Sequence, residues 1–246
     1  MPVLNITDLT VVRSNNTPPV LRGVSLSVDR GEKVAIVGPS GAGKTTLFRA
    51  INGFVPIQSG GISVDGVSVQ GLRGKPLRQL RRHIAVVSQR HDLVDRLRVY
   101  QNVMAGALGR WSSLHALRFL LWPSAQELSE AESALRRVGI AHKLRERTSD
   151  ISGGEHQRVA IARALVQQPA LLLADEPIAS LDPELSHQIL ALLCRLADES
   201  GFALVCSLHQ QEYAGTFFDR VVRIQHGRVE HADLRSSSGR RVGAGD

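Results

Sequence analysis

Aromatic side chains are scarce in this 246-residue chain: Phe, Tyr and Trp together make up 4% of it. Surfaces that stack on nucleic-acid bases depend on such rings, so the scarcity counts against a nucleic-acid partner. Cysteine is rarer still. Cys194 and Cys206 stand in apolar surroundings and read as small buried hydrophobes, not as a disulfide. No stretch approaches the roughly 18 uninterrupted apolar residues of a membrane span. The apolar runs at residues 170–174 and 203–206 are the length of a strand. The opening Met1-Pro2-Val3-Leu4-Asn5 lacks the basic-then-apolar layout of a secretory signal, so a cytoplasmic chain is the expectation. Nine histidines are scattered without metal-ligand spacing.

What is present is ordinary for an α/β protein: 43% hydrophobic and 22% charged residues, with length for one substantial core and a subdomain. The formal charge of +7 suits acidic partners, nucleic acid or a membrane surface, and more commonly marks a solvated basic face. Residues 3–12 alternate loosely and read as a strand, and residues 14–19 as a turn-rich loop. Val24, Leu26 and Val28 alternate. Residues 34–37 are continuously apolar, as in a buried strand. A helix follows over 45–52, with Leu47, Ala50 and Ile51 on one side. Residues 60–69 form a hairpin around Asp65-Gly66, and 84–88 another strand. From residue 93 to about 150 the chain is helix-like, rich in Leu, Ala and Arg, and interrupted by Pro123.

Ser152 then opens a helix that stops at Pro169. Residues 171–174 are a buried strand ending in Asp175-Glu176. Ile189, Leu190, Leu193 and Leu196 mark an amphipathic helix over 186–197. A strand at 202–207 precedes His209, and 221–224 with 228–230 make a closing hairpin. Residues 236–246 are small, polar and glycine-rich, a tail expected to be disordered.

Gly38-Pro39-Ser40-Gly41-Ala42-Gly43-Lys44-Thr45 fits G-x-x-x-x-G-K-[ST] completely, between a buried strand and a helix. The glycines let backbone N–H groups turn inward around phosphate oxygens, and the helix N-terminus adds a favourable dipole. Lys44 supplies charge to the β- and γ-phosphates. The Thr45 hydroxyl suits Mg²⁺, which prefers oxygen ligands. Asp175, at the carboxyl edge of a parallel strand, faces the ligand crevice and can hold the Mg²⁺ through a water. Glu176 is placed to act as general base on an attacking water. Ile151-Ser152-Gly153-Gly154-Glu155 is a second glycine-rich helix start with a hydroxyl, also built to bind an anion. Two chains arranged head to tail would use both loops around one ATP.

That string resembles the LSGGQ signature of ABC ATPases, with Ile for Leu and Glu155 for the final Gln. Gln89 matches the family's lone glutamine, Ser180-Leu181-Asp182 the loop after the catalytic glutamate, and His209 the switch histidine. All occur in order across about residues 3–230. The resemblance implies a P-loop (RecA-like) α/β core with an antiparallel β subdomain and an inserted α-helical subdomain at about 93–157, all within a domain spanning 1–235. It implies that Gln89 senses the γ-phosphate and Mg²⁺, and that His209 holds the γ-phosphate and orients the water near Glu176. Ser152, Gly153, Gly154 and Glu155 close on the partner's ATP, and Asp182 helps join the halves. The Gly38–Thr46 stretch, Thr46 included, cradles the nucleotide.

The sequence departs from the family pattern in two places, at Glu155, which puts a negative charge near the signature helix start, and at the adenine platform. An aromatic near the end of the first strand normally stacks on adenine, and here Arg13 occupies that region; its planar guanidinium can stack instead. A permease, a solute-binding protein acting through it, and a seat on the cytoplasmic membrane face complete the implied assembly. Gln101-Asn102-Val103-Met104-Ala105-Gly106, Leu108-Gly109-Arg110 and the insert at 111–123 are similar to phosphonate-import ATPases. ATPases of polar amino-acid or methionine importers, and a non-transport ABC ATPase regulating a partner complex, are the alternatives.

Overall fold

A computed structural model of the chain describes residues 2–12, 18–88, 92–179 and 181–230. The expectations placed on Arg13, Gln89, Ser180 and the tail at 236–246 lie outside these residues.

Two sheets share the β strands. In the first, β1 (Leu4–Val11), β2 (Leu21–Val28), β4 (Ser59–Val64) and β5 (Val67–Ser68) are ordered β2-β1-β4-β5 and pair antiparallel. The second runs β10-β9-β3-β8-β7-β6 and joins β3 (Lys33–Val37), β6 (Ile84–Val87), β7 (Leu171–Asp175), β8 (Ala203–Leu208), β9 (Arg220–Gln225) and β10 (Arg228–Glu230). All its pairs are parallel except the closing β9–β10 hairpin. The continuous apolar runs in β3, β7 and β8 follow from burial on both faces. Registers Val37↔Leu208 and Asp175↔Ser207 bring the carboxyl ends of these three strands to one edge.

Helix α1 (Lys44–Ile51) follows β3 directly, and α2 (Gly74–Arg81) precedes β6. The connection from β6 to β7 holds α3 (Val99–Met104), a 3₁₀ turn at Ala105–Gly109, α4 (Ser113–Leu121), α5 (Ala125–Arg137) and α6 (Gly153–Val166). Helices α3, α5 and α6 pack on one another. Helix α7 (Pro183–Ser200) and α8 (Gln211–Phe217) complete the set. The expected class, an α/β core with an antiparallel sheet and an inserted helical stretch, is the class observed.

Two helices escaped the sequence pattern. Leu80 is the only buried residue of α2, so that helix shows no apolar stripe. Helix α8 buries only Ala214. Helix α7 begins three residues before the expected amphipathic run, because Asp182 caps it and Pro183 occupies its first turn. Cys194 and Cys206 are buried and free.

Candidate functional site

The loop between β3 and α1 is shaped by close approach. A side chain at Gly38 would place a Cβ 2.2 Å from the Ile224 carbonyl oxygen on β9, so only glycine lets the loop lie against the sheet. Gly43 caps α1 at φ +110°, where a Cβ would meet the Leu21 side chain at 2.7 Å. Pro39, Ser40 and Gly41 form the exposed outer arc, while Ala42 and Gly43 are buried.

Lys44 opens α1 with only 4% of its surface exposed. Its ammonium donates to the Gly38 carbonyl at 2.8 Å and the Pro39 carbonyl at 3.3 Å, and stands 3.8 Å from Glu176 Oε1. Burial pulls the Lys44 pKa down, with Glu176 and Asp175 opposing it. A cavity of about 340 Å³ opens here, bounded by Val20, residues 41–46 and Glu176. Thr45 and Thr46 are therefore on its wall.

Opposite lie the acids. Asp175 ends β7, and its Oδ1 accepts from the Ser207 hydroxyl at 2.7 Å and from the Thr45 hydroxyl at 3.4 Å. The backbone N–H of Glu176 donates to the same Ser207 oxygen at 2.9 Å. Glu176 sits at φ +51°, an uncommon conformation for a side chain of its size. That turn lifts its carboxylate out of the strand path, 2.6 Å from Nε2 of His209. The β7 and β8 ends thus set an acid, a hydroxyl and an imidazole beside the phosphate loop. Thr45 and Asp175 present paired oxygens, the donor set a hard cation such as Mg²⁺ takes.

The second glycine-rich string is held differently. Ser152 caps α6 and accepts from the Glu155 N–H, while Glu155 Oε2 accepts from the Ser152 N–H at 2.8 Å and its hydroxyl at 2.9 Å. The Lys143 ammonium lies 3.5 Å from the other Glu155 oxygen. The Ser152 backbone bond chiefly holds the Glu155 pKa down against burial, with the Ser152 hydroxyl and Lys143 assisting. Gly153 is open, and a Cβ at Gly154 would press on Leu185 of α7 at 2.9 Å. Asp182 Oδ1 accepts from the Leu185 N–H at 2.9 Å. None of Ser152, Gly153, Gly154, Glu155 or Asp182 lines the phosphate-loop cavity of their own chain.

Sequence reasoning missed Ser207, fully buried and bridging both acids. It also missed Val20, whose N–H pairs with the Val11 carbonyl and whose side faces the cavity. A lone serine inside an apolar strand was the only available signal for the first.

Comparison with known proteins follows this geometry. A family model described as "ABC transporter" matches residues 21–179. The phosphonates import ATP-binding protein PhnC 1 of Pseudomonas syringae pv. tomato is 45% identical over 223 residues, 91% of this chain and 83% of the relative. PhnC 2 of Halalkalibacterium halodurans is 41% identical over 227 residues, 92% of each. Among solved structures, CbiO1 of Clostridium perfringens, part of the ABC transporter complex CbiONQ, superposes with a TM-score of 0.82 at 32% identity, over 94% of this chain and 88% of that one. A dimeric ATP-binding cassette in a post-hydrolysis state with ADP and Pi superposes at 0.78 and 28% identity, over 94% and 99%.

Proposed function

The chain belongs to the ABC transporter family as an ATP-hydrolysing importer subunit, and we propose that it drives phosphonate uptake through a membrane permease. The observation that carries the ATPase chemistry is the strand edge where Lys44, Thr45 and Glu176 line the phosphate-loop cavity, with Asp175 bonded to Thr45 and His209 2.6 Å from Glu176. The relatives' names support the solute.

In this reading the Lys44 ammonium turns from the loop carbonyls to the β- and γ-phosphates of ATP. The Thr45 hydroxyl and, through a water, the Asp175 carboxylate would hold Mg²⁺, with Gln89 sensing the ion and the γ-phosphate. When bound, the ion offsets phosphate charge. Glu176 takes the proton of the attacking water. His209, 2.6 Å from it, orients that carboxylate and the water. In the free chain Lys44 and His209 both address Glu176, so γ-phosphate binding releases the base by giving both groups other oxygens to contact. Ser152, Gly153 and Gly154 complete the site of a second copy in a head-to-tail dimer, with Asp182 near the joint and Glu155 behind Ser152. Arg13 stacks on adenine.

A cleft of about 550 Å³ between α1 and the β6–β7 helices, lined by polar groups such as Asn52, Arg81 and Gln167, seats a permease loop. Its far wall joins Ala105 and Gly106 of the helical subdomain at about 93–157 to Arg163, Ala164 and Gln167 at the end of α6. The chain then sits on the cytoplasmic face of the membrane; among the described residues no helix is long and apolar enough to cross it.

The test is reconstitution with the permease and solute-binding protein from the same operon in lipid. A phosphonate should stimulate ATP hydrolysis, and Glu176→Gln should lower the stimulated rate about 10²–10⁴-fold while ATP still binds. Stimulation by methionine or a polar amino acid instead would move the subunit to another importer class and leave its ATPase role standing.

A further inference from the structure

Helix α4 is built inside out. Its inner side carries His115 and the buried Phe119, which packs edge-on against Tyr100 and tilted against Trp111. Its outer side carries Leu114, Leu117, Leu120 and Leu121, which fall within about 120° of arc at the helical period. They are 78%, 55%, 49% and 56% exposed, and Trp122 behind them is 72% exposed. Pinning is firm. Glu127 of α5 accepts from Arg118 and lies 2.7 Å from His115 Nε2, and Trp111 stacks on the His115 ring at 4.4 Å. The leucine crest is therefore held outward by a rigid inner side and is not a face awaiting collapse onto the core. Both tryptophans of the chain, Trp111 and Trp122, stand at its two ends.

Basic residues predominate in the sequence around this crest, with Glu127 and Glu130 of α5 paired to Arg118 and Arg110. Residues 66–126 contain ten Lys and Arg and only two acids, Asp92 and Asp95, a net +8 against +7 for the whole chain. On α2 and its flanks Arg73, Lys75, Arg78 and Arg82 are exposed, and among the described residues no carboxylate pairs with them. The Arg82 stem lies against Gly109, where a Cβ would be 3.2 Å from its Cγ, three residues before the cap of α4.

We propose that α4 is an interfacial helix that lays its leucine crest and Trp122 into the surface of an anionic bilayer, with the basic α2 region engaging the headgroups. Leucine on one side, tryptophan at the end and basic residues alongside are what a helix lying in the headgroup region requires. The leucine side chains of the crest offer no hydrogen-bonding groups, which suits fluid acyl chains. A protein loop is better served by the cleft already assigned to the permease, whose wall mixes apolar side chains such as Phe48 and Phe54 with hydrogen-bonding groups such as Asn52 and Gln167. The contact goes beyond the transport reading and rests on it only for placing the chain beside a membrane. It gives the subunit a direct lipid hold that does not pass through the permease.

The test uses the full chain with vesicles of phosphatidylcholine alone or with a third phosphatidylglycerol. The protein should sediment with the anionic vesicles, and its tryptophan emission should shift to shorter wavelength. Leu114→Glu with Leu117→Glu should cut partitioning about tenfold or more. Lys75→Gln and Arg78→Gln should each cost about fivefold and flatten the salt dependence. Trp122→Ser, a milder change, should weaken binding with the fold intact.

ATP binding is measured on every preparation. Protein that binds ATP but stays in the supernatant at low salt overturns the lipid contact and leaves the ATPase reading untouched. So does a leucine double variant that sediments like wild type. Leucine-dependent self-association without lipid, capture only by permease-containing vesicles, or tighter binding to nucleic acid than to anionic lipid would likewise overturn it.

Discussion

Ser207 shows how one residue can hold two functional groups without touching substrate. Its hydroxyl donates to Asp175 Oδ1 and its oxygen accepts the Glu176 N–H, so it sets the two adjacent acids in one frame. Ser207→Ala removes both bonds inside a fully buried site and leaves a backbone donor unpaired. The expected stability loss is about 1–3 kcal/mol. The expected kinetic signature is a fall of about tenfold in the hydrolysis rate, equivalent to about 1.4 kcal/mol of barrier, with ADP affinity nearly unchanged. Stopped assays beside ADP titration check it. An equal loss in both readouts would make Ser207 merely structural. Ser207→Thr, which keeps the hydroxyl, should rescue the rate where the extra methyl fits.

At the scale of the element, two helices begin with the same device. Ser124 caps α5 and Ser152 caps α6, each with a glutamate three residues on that returns a carboxylate to the cap. In α5 that glutamate is Glu127, buried at the foot of the leucine-crested helix. Burial works to raise its pKa, but bonds from the Ser124 N–H, His115, the Ser124 hydroxyl and Arg118 outweigh it and hold the value at about 2, against an ordinary 4.5. A depressed carboxylate contributes stability that is complete above its unfolded value and is lost as pH falls through the folded one. The contribution of Glu127 should therefore be full above about pH 4.5 and fade toward pH 2. Glu127→Gln should cost about 2–3 kcal/mol at neutral pH, the scale of hydrogen bonds to a charged group. The difference from wild type should shrink as pH drops through that window. Denaturant titrations at pH 7 and pH 3 read this directly, and an unchanged difference would assign the cost to packing alone.

Across the whole molecule, the two glycine-rich helix starts, at α1 and α6, do not line one cavity within a chain. The expected consequence is a nucleotide-driven dimer. Glu176→Gln should pass from monomer to dimer on addition of Mg-ATP, followed by light scattering. In mixed dimers, Ser152→Arg should disable the site that uses its partner's Lys44 and spare the one containing its own. A protein that binds ATP at saturation and remains monomeric would remove the head-to-tail arrangement.

Much of the site was legible in the residues because its chemistry is local. A phosphate cradle needs consecutive glycines, a lysine and a hydroxyl on one turn, so Gly38, Gly43, Lys44 and Thr45 announce themselves together. The acid pair Asp175-Glu176 follows its apolar strand for the same reason. Class of fold, order of motifs and family followed from such contiguous patterns. What only the tertiary structure decided is everything that depends on adjacency between distant segments. The register of β7 against β8 puts Ser207 beside Asp175, and the same strand ends put His209 beside Glu176. Periodicity in α4 does not say which way its leucines face, because a leucine stripe is the same string whether it faces inward or out. Its orientation was decided by Arg118, His115 and Phe119, which satisfy their charge, hydrogen bonds and ring contacts on the inner side and leave the leucines to the solvent.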